Sequence, residues 1–305
     1  MKYHSIYLIP TPGNSLEAST ATINTLINTI ESQFATATRQ SPWTLSHRVF
    51  QSTPPKPDPN TASTTSSSAS PATGAPSPPS LHHLLTLSPL SPDQTYCYIH
   101  TTKPASQPLK TEPQSNAPTP QPQPPSTSTP QKDNGTIVAI PNTSRDAHIA
   151  MIGGPMSAIW ALRQVIAVPA GLSYTAGPFE ILIGELRAAK TGPSHSSAAA
   201  SPGVIISIST VVGSIGEGED EGALADSGYA WVGGETGEDE EEEVDLDVAR
   251  EKIGEFWRRI KVEVGRGQVL EAGMRWERGN GVRNDNEREV EAVVRLWCEI
   301  LKPRV

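Results

Sequence analysis

The sequence predicts an α+β fold in which helices pack on an antiparallel, barrel-like β-sheet that is interrupted by long disordered inserts. Three observations lead to this fold class. Apolar residues alternate with polar or small ones in successive segments of residues 165–212, and no helical pattern separates these segments. Amphipathic helical patterns lie near both ends of the chain. Two segments, residues 53–80 and 102–132, consist mainly of Pro, Ser, Thr, Gln and Ala, a composition typical of disorder.

The centre of the predicted sheet lies within residues 165–212. Apolar side chains occupy alternate positions along residues 179–184 and again along residues 204–209, and alternate side chains share one face of a strand. Gly177 and Pro178, which separate the first two strand candidates, are typical turn residues. Because parallel strands would need a long crossover connection, usually a helix, we expect three strands in an antiparallel meander.

The first part of the chain predicts a strand, a helix and a second strand. Residues 2–9 alternate in a way that suits a strand buried on both faces or a strand of a barrel. A helix is expected over residues 15–36, where apolar residues recur at helical spacing, with Asn14 as the N-cap and Glu17 closing a capping box. Residues 42–52 alternate again and predict the second strand.

The middle of the chain predicts further strands and a helical region. Residues 81–88 and 94–101 predict a hairpin, and residues 136–140 predict a strand that follows the second insert. Residues 144–163 carry apolar side chains on more than one helical face. We therefore expect a central, well-buried helix pair there, broken at residues 153–155.

Two amphipathic helices are predicted toward the end of the chain, over residues 245–261 and 286–301. The runs 262–264 and 269–274 between them suit either a last strand or irregular structure. The last helix docks either on its own sheet or on a partner protein. Its candidate core or partner-contact face is formed by Val290, Val294, Trp297 and Leu301.

A single domain is expected to span residues 1–305. Seventeen of the 29 prolines lie in residues 53–80 and 102–132, and such segments bury too little apolar surface to offset the conformational entropy lost on ordering. Both inserts fall between predicted strands, where the entropy of loop closure rises only slowly with loop length. They are therefore interpreted as long loops of one domain and not as linkers between several domains.

The net charge of −9 is concentrated in one segment. Fourteen of the 33 acidic residues lie between Glu217 and Asp247, which leaves 19 acidic residues against 24 Lys and Arg in the rest of the chain. Residues 214–243 are therefore predicted to form a mobile acidic loop, which is either solvated or a decoy for a basic surface.

Residues 184–191 are the strongest candidate for chemistry. They begin with Gly184 and end with Lys190 and Thr191, which resembles a phosphate-binding loop. Ala189 stands where the second glycine of such a loop would be. A phosphate loop also needs a helix N-terminus after it, whereas a Ser- and Ala-rich segment follows here. A nucleotide- or phosphate-using enzyme that employs Lys190 is therefore kept as the alternative function.

The histidines and cysteines show no spacing typical of a catalytic or metal site. Seven histidines are scattered along the chain, and only His82 and His83 are adjacent; neighbours in a strand point to opposite faces. The two lone cysteines, Cys97 and Cys298, cannot make a zinc knuckle and predict reduced, buried thiols of a cytosolic or nuclear protein. The sequence therefore predicts no catalytic residue, no cofactor and no metal site.

Three sequence patterns resemble one known family. Tyr174 precedes the aromatic and aliphatic strand of residues 179–184, the pattern W-x-L-x-H-R fills residues 43–48, and R-L-W-C-E-I-L fills residues 295–301. Together with the strand and helix that open the chain, these patterns are similar to subunit 20 of the Mediator complex, a head-module family related in name to TATA-binding factors. The Pro- and Ser-rich inserts resemble those of its filamentous-fungal members.

The resemblance implies an antiparallel barrel-like sheet with packed helices, and a non-catalytic protein without a cofactor. It also implies a stable pair with Mediator subunit 18, held in the head module with subunit 8. Such a pair would act in the nucleus as a transcription coregulator that links regulators to RNA polymerase II. We expect no direct membrane contact and no sequence-specific binding of nucleic acid. A third interpretation, besides the subunit and the enzyme, is a weak scaffold whose inserts bind partners.

Overall fold

The computed structural model describes seven segments of the chain. They are residues 1–53, 78–101, 135–189, 200–212, 238–261, 269–274 and 285–303, with the backbone alone for residues 238–245 and 285. Most of the predicted insert 53–80, all of the insert 102–132 and the run 262–264 lie outside the described residues.

The described residues form one ten-stranded sheet and four α-helices. The strands are β1 (Lys2–Pro10), β2 (Thr38–Arg39), β3 (Trp43–Ser52), β4 (Ser80–Leu87), β5 (Gln94–Thr101), β6 (Thr136–Pro141), β7 (Trp160–Ala176), β8 (Phe179–Ala189), β9 (Ala200–Val211) and β10 (Leu270–Gly273). The helices are α1 (Leu16–Gln33), α2 (Asn142–Gly153), α3 (Glu238–Lys261) and α4 (Asp285–Ile300). None of the described helices combines the length and the apolar character needed to cross a membrane.

The predicted fold class is confirmed. The strands follow the order β10-β1-β9-β8-β7-β3-β4-β5-β6, with β2 beside β7, and every pair is antiparallel. The predicted meander is formed by β7, β8 and β9, and the predicted hairpin by β4 and β5. Ile181 and Ile183 of β8 and Ile206 and Ile208 of β9 are buried, as their alternation predicts.

The sheet is curved around α4. This helix packs against β1 and β10 near one end of the sheet and also against β4 and β5 near the other end. In a flat sheet, the seven strand spacings from β1 to β6 would cover roughly 33 Å. Glu289, which contacts Lys2 of β1, and Arg295, which contacts Gly135 just before β6, are only about 9 Å apart along the helix axis, and their side chains cannot bridge the difference. The contacts of α4 therefore require a barrel-like curvature, while β10 and β6 remain the two ends of the sheet.

The helix α3 covers the first strand and the start of the chain. The Trp257 ring stacks on Tyr7 of β1 with 4.2 Å between ring centroids. Phe256 lies between Phe34, at the end of α1, and Phe179 of β8, each at 4.6 Å between centroids. These aromatic contacts join α1, α3 and the sheet into one core.

The predicted central helix pair at residues 144–163 is confirmed in its first helix and in its break at residues 153–155, but its second helix and its deep burial are wrong. The helix α2 ends at Gly153, and β7 begins at Trp160, so residues 160–163 belong to a strand that pairs with β3. Ile152 is the buried residue of α2, whereas Met151 is exposed. The chain forms turns after the break, and the residues from Trp160 onward are strand because pairing with β3 supplies their backbone hydrogen bonds.

Two smaller predictions are also corrected. The N-cap of α1 is Ser15, whose side chain accepts a hydrogen bond from the Ala18 N–H, and not Asn14, which has a φ of 54° in the turn before it. Residues 238–243 of the predicted acidic loop are helical, because α3 begins at Glu238. Glutamate is a good helix former, and its charge is favourable near a helix N-terminus. Residues 214–237 lie outside the described residues.

Candidate functional site

The predicted face of the last helix lies in the core of the chain. Val294, Trp297 and Leu301 are buried, with Trp297 1 % exposed, and Val290 is half-buried. The Trp297 ring lies 5.9 Å from that of Trp43 of β3, between centroids, at a tilt of 58°. These side chains therefore pack against the sheet of their own chain.

Polar contacts hold α4 at both sides of the curved sheet. The backbone N–H of Lys2, at the start of β1, donates to Oε2 of Glu289 over 3.0 Å. On the other side, Arg295 donates from Nη2 to the Gly135 carbonyl over 3.4 Å, and its guanidinium lies 5.7 Å from the centroid of the Tyr98 ring. The helix thus links the first strand to the β5–β6 end of the sheet.

The candidate phosphate loop is a strand over its first six residues. Residues 184–189 belong to β8, which is paired with β7 on one side and β9 on the other. Lys190 and Thr191 lie outside the described residues. Because ladder hydrogen bonds occupy the backbone of β8, its amides do not converge on a phosphate as the motif requires.

Three histidines form a hydrogen-bonded chain on the core side of the sheet, which we call the inner cluster. Nε2 of His47 lies 3.0 Å from Nδ1 of His83, and Nε2 of His83 lies 3.1 Å from Nε2 of His100. The buried Cys298 of α4 joins His47 and His83, with their ligand atoms within 4.8 Å of one another. Burial lowers the pKa of His47 to about 3 and the pKa of His83 to about 2, so both rings are neutral near pH 7.

A second group, which we call the outer cluster, lies on the opposite face of β4. It consists of His82 of β4, Cys97 of β5 and His148 of α2, whose ligand atoms also lie within 4.8 Å of one another. Sγ of Cys97 is 3.8 Å from Nε2 of His148. Burial lowers the pKa of His82 to about 4, with a contribution from His148, and raises the pKa of the Cys97 thiol to about 11.

The sequence did not predict either cluster. His82 and His83 do point to opposite faces, as expected for strand neighbours. His82 meets Cys97 of the same hairpin and His148 of α2, whereas His83 meets His47 and Cys298 from distant parts of the chain. The predicted hairpin could have indicated two members of the outer cluster, because it placed His82 and Cys97 on adjoining strands. The approach of His148 could not be found in this way, since it depends on how α2 docks on the sheet.

Comparisons with solved structures give weak similarities. The chain matches the PH1819 protein from Pyrococcus horikoshii OT3 at 10% identity and a TM-score of 0.34, over 86% of this chain and 92% of that chain. It matches the Schizosaccharomyces pombe Mediator head module at 8% identity and a TM-score of 0.35, over 89% of this chain and 99% of that chain. At these TM-scores neither similarity supports an argument about fold or function.

Of the two sequence comparisons, only the one with family models finds a match. No curated protein matches the chain. A family described as the TATA-binding related factor (TRF) of subunit 20 of the Mediator complex matches residues 1–269. This match ends before α4, so the four residues predicted for the helix face lie beyond it. Because the match spans most of the chain, the protein belongs to the Mediator subunit 20 family of transcription regulators.

Proposed function

We propose that this chain is a non-catalytic subunit of the Mediator head module that pairs with Mediator subunit 18 and is held there with subunit 8. The pair acts in the nucleus as a coregulator that links regulators to RNA polymerase II. The family match over residues 1–269 is the observation that carries this proposal. Residues 1–305 then act as one domain whose inserts are loops.

The chemistry of the described residues favours a binding role over catalysis. The candidate phosphate loop is a paired strand in its described part. Burial raises the pKa of the thiols of Cys97 and Cys298, and a protonated thiol is a poor nucleophile. These features weaken the alternative of a nucleotide- or phosphate-using enzyme.

The face of the sheet that carries α2 is the best candidate surface for the partner. Ile99, Val138 and Leu162 lie in register with His82, Cys97 and Phe50 respectively, so all six side chains share this face. We call this surface the α2 face. Its exposed large apolar side chains are Ile99, Val138, Met151 and Leu162. Exposed apolar side chains that cluster on one surface typically mark a protein interface.

Co-purification from a nuclear extract tests the proposal. The tagged full chain is expected to recover subunits 18 and 8, and a double variant Val138→Lys with Met151→Lys is expected to lose them while it keeps its thermal midpoint. The matched control is Val211→Lys, because Val211 is 41 % exposed, is also apolar, and lies on β9.

The outcomes test the pairing with subunits 18 and 8 separately from the assignment of the α2 face as the contact surface. If the unmodified chain recovers neither subunit, the proposed pairing is wrong. If the double variant recovers both subunits as well as the control does, the pairing stands and the assignment of the α2 face is wrong.

A further inference from the structure

We propose that His82, Cys97 and His148 of the outer cluster form a zinc-binding site that fastens α2 to the sheet. The inference concerns a metal ion and does not depend on which subunit the chain pairs with. It rests on the positions of the three side chains, on their spacing, and on the hydrogen-bonding state of His82.

Three different elements bring the ligands together. In the β4–β5 hairpin, His82 pairs with Ile99 and Leu84 pairs with Cys97, so His82 and Cys97 are diagonal neighbours on one face. The helix α2 packs against β5, β6 and β7 and supplies His148. No single stretch of sequence shows the site, because its members are separated by the turn of the hairpin and by the second insert.

The spacing of the ligand atoms suits one tetrahedral ion. With Zn–S near 2.3 Å and Zn–N near 2.0–2.1 Å, a sulfur and a nitrogen on a tetrahedral zinc lie about 3.6 Å apart. Sγ of Cys97 is 3.8 Å from Nε2 of His148, and all three ligand atoms lie within 4.8 Å of one another. The Cys97–His148 contact is also compatible with a weak thiol–imidazole hydrogen bond, but a shared ion would engage His82 as well.

Among the three ligands, His82 has the most unused hydrogen-bonding capacity. Its side chain is 5 % exposed, and neither ring nitrogen has a hydrogen-bond partner among the described residues. A buried polar group without a partner is costly, and such groups are rare in folded proteins. The Trp160 ring meets the imidazole edge-on at 5.4 Å between centroids, and Phe50 lies 6.2 Å away. A metal would engage one of the two unpartnered ring nitrogens, which these apolar neighbours cannot do.

The inner cluster has less unused hydrogen-bonding capacity, because only Nδ1 of His47 is buried there without a partner in the described part of the chain. Both ring nitrogens of His83 are engaged, one with His47 at 3.0 Å and the other with His100 at 3.1 Å. A metal there would have to replace at least one of these hydrogen bonds. The outer cluster therefore has the greater free ligand capacity, with both nitrogens of His82 unpartnered among the described residues, and it is also more accessible because His148 is only half-buried.

The donor set selects the metal. Two imidazoles and one thiolate, formed when the ion displaces the proton of Cys97 into solvent, suit zinc. Calcium and magnesium prefer oxygen ligands. The group contains three protein ligands within the described part of the chain, so the fourth position is left for water or another ligand. Binding would link α2 to β4 and β5 beyond the packing of Ile152, the buried residue of that helix.

Cobalt titration of the purified full chain tests the site. The protein is treated with a chelator, dialysed, and titrated with Co²⁺ and then Zn²⁺. We expect one Co²⁺ per chain, a thiolate-to-cobalt charge-transfer band, visible bands of tetrahedral cobalt, and displacement by Zn²⁺. Cys97→Ser and His148→Ala should each weaken metal binding by more than about 100-fold. The loss of a group that only hydrogen-bonds to a metal ligand already lowers metal affinity by about 10–100-fold.

Two matched controls locate the metal. Cys298→Ala removes the thiol of the inner cluster, and His100→Gln removes a histidine from the hydrogen-bonded chain; both should leave cobalt binding unchanged. If Cys97→Ser does not fold, His148→Ala decides the question, because its side chain is half-buried on a surface helix. Hydrogen exchange gives a second measurement, in which Zn²⁺ should slow exchange in α2 of the unmodified protein but not of His148→Ala.

Three results would each overturn the proposal. The first is that the folded, unmodified chain binds neither Co²⁺ nor Zn²⁺ at one equivalent. The second is that metal binding survives in both Cys97→Ser and His148→Ala. The third is that metal binding is lost in Cys298→Ala but kept in Cys97→Ser. The last result would place the ion in the inner cluster.

Discussion

The indole of Trp43 occupies the space that a side chain at Gly184 would need. A Cβ added at Gly184 would lie 2.8 Å from Cζ2 of Trp43 and 2.6 Å from Cγ1 of Val168. The indole N–H donates to the carbonyls of Leu172 and Ile183, over 3.0 and 3.2 Å. The glycine that resembles the start of a phosphate loop is therefore explained by the packing of a buried tryptophan.

Gly184→Ala should lower the free energy of unfolding by about 1–3 kcal/mol, the usual cost of adding a methyl group to a well-packed core. Neither contact can move cheaply, because both neighbours are buried. Chemical denaturation of the full chain measures the change. The control is Gly254→Ala in α3, where a new Cβ meets no atom within 4 Å and alanine is the better helix former. Equal stability of Gly184→Ala and the unmodified protein would disprove the packing explanation.

Trp297→Ala should destabilise the isolated chain by about 3–5 kcal/mol, as expected for removing a buried tryptophan. The side chain is 1 % exposed and contacts Trp43. A thermal or chemical melt of the chain without partners provides the measurement. Glu299→Ala on the exposed side of the same helix serves as control and should change stability by no more than about 0.5 kcal/mol. An unchanged melting curve for Trp297→Ala would mean that the helix docks on a partner instead.

Local patterns predicted the strands and the amphipathic helices. The predicted last helix, residues 286–301, differs from α4 by one residue at each end, because its apolar stripe is long and regular. The meander was predicted because alternation along residues 179–184 and 204–209 needs no information from elsewhere in the chain. Residues 160–163 were placed in a helix because their apolar side chains fit both periods, and pairing with β3 decides between them.

Non-local contacts explain what the sequence left open. The hydrogen bond from Trp43 to the Ile183 carbonyl joins residues 140 positions apart. The inner cluster likewise depends on the register of β3 against β4 and on the docking of α4. The outer cluster depends on the register of β4 against β5 and on the docking of α2. Single-sequence periodicity determines which face a residue occupies, but not which distant residue it meets there. A site such as the outer cluster, which is built from three elements, therefore cannot be found until the strands are paired and α2 is docked.

Acidification below pH 6.5 should destabilise the protein partly through His4. Burial, helped by the charge of Lys2, lowers the pKa of His4 from 6.5 to about 4. Between these values the unfolded chain takes up a proton that the folded chain does not, so stability is full above pH 6.5 and falls toward pH 4. One such group contributes a slope of up to about 1.4 kcal/mol per pH unit.

The contribution of His4 can be isolated by denaturation at a series of pH values with a chelator present. His4→Gln should show a shallower loss of stability between pH 6.5 and 4 than the unmodified chain, and curves parallel to it between pH 7.5 and 8.5. Parallel curves across the whole range would show that His4 is equally protonated in the folded and unfolded states.

Tyr174, one of the residues that carries the resemblance to the family, should stabilise the fold through its hydroxyl. The hydroxyl donates to Oε1 of Glu31 over 2.8 Å and accepts from Nη2 of Arg39 over 2.9 Å, which joins β7 to α1 and β2. Its ring is buried, so Tyr174→Phe keeps the packing and removes only the hydrogen bonds. We expect a loss of about 0.5–1.5 kcal/mol. A double-mutant cycle with Glu31→Gln measures the coupling. Because the side chains of Glu31 and Arg39 are about half exposed, their own ion pair should add little. Strictly additive effects of the two substitutions would show that the hydroxyl does not hold α1 in place.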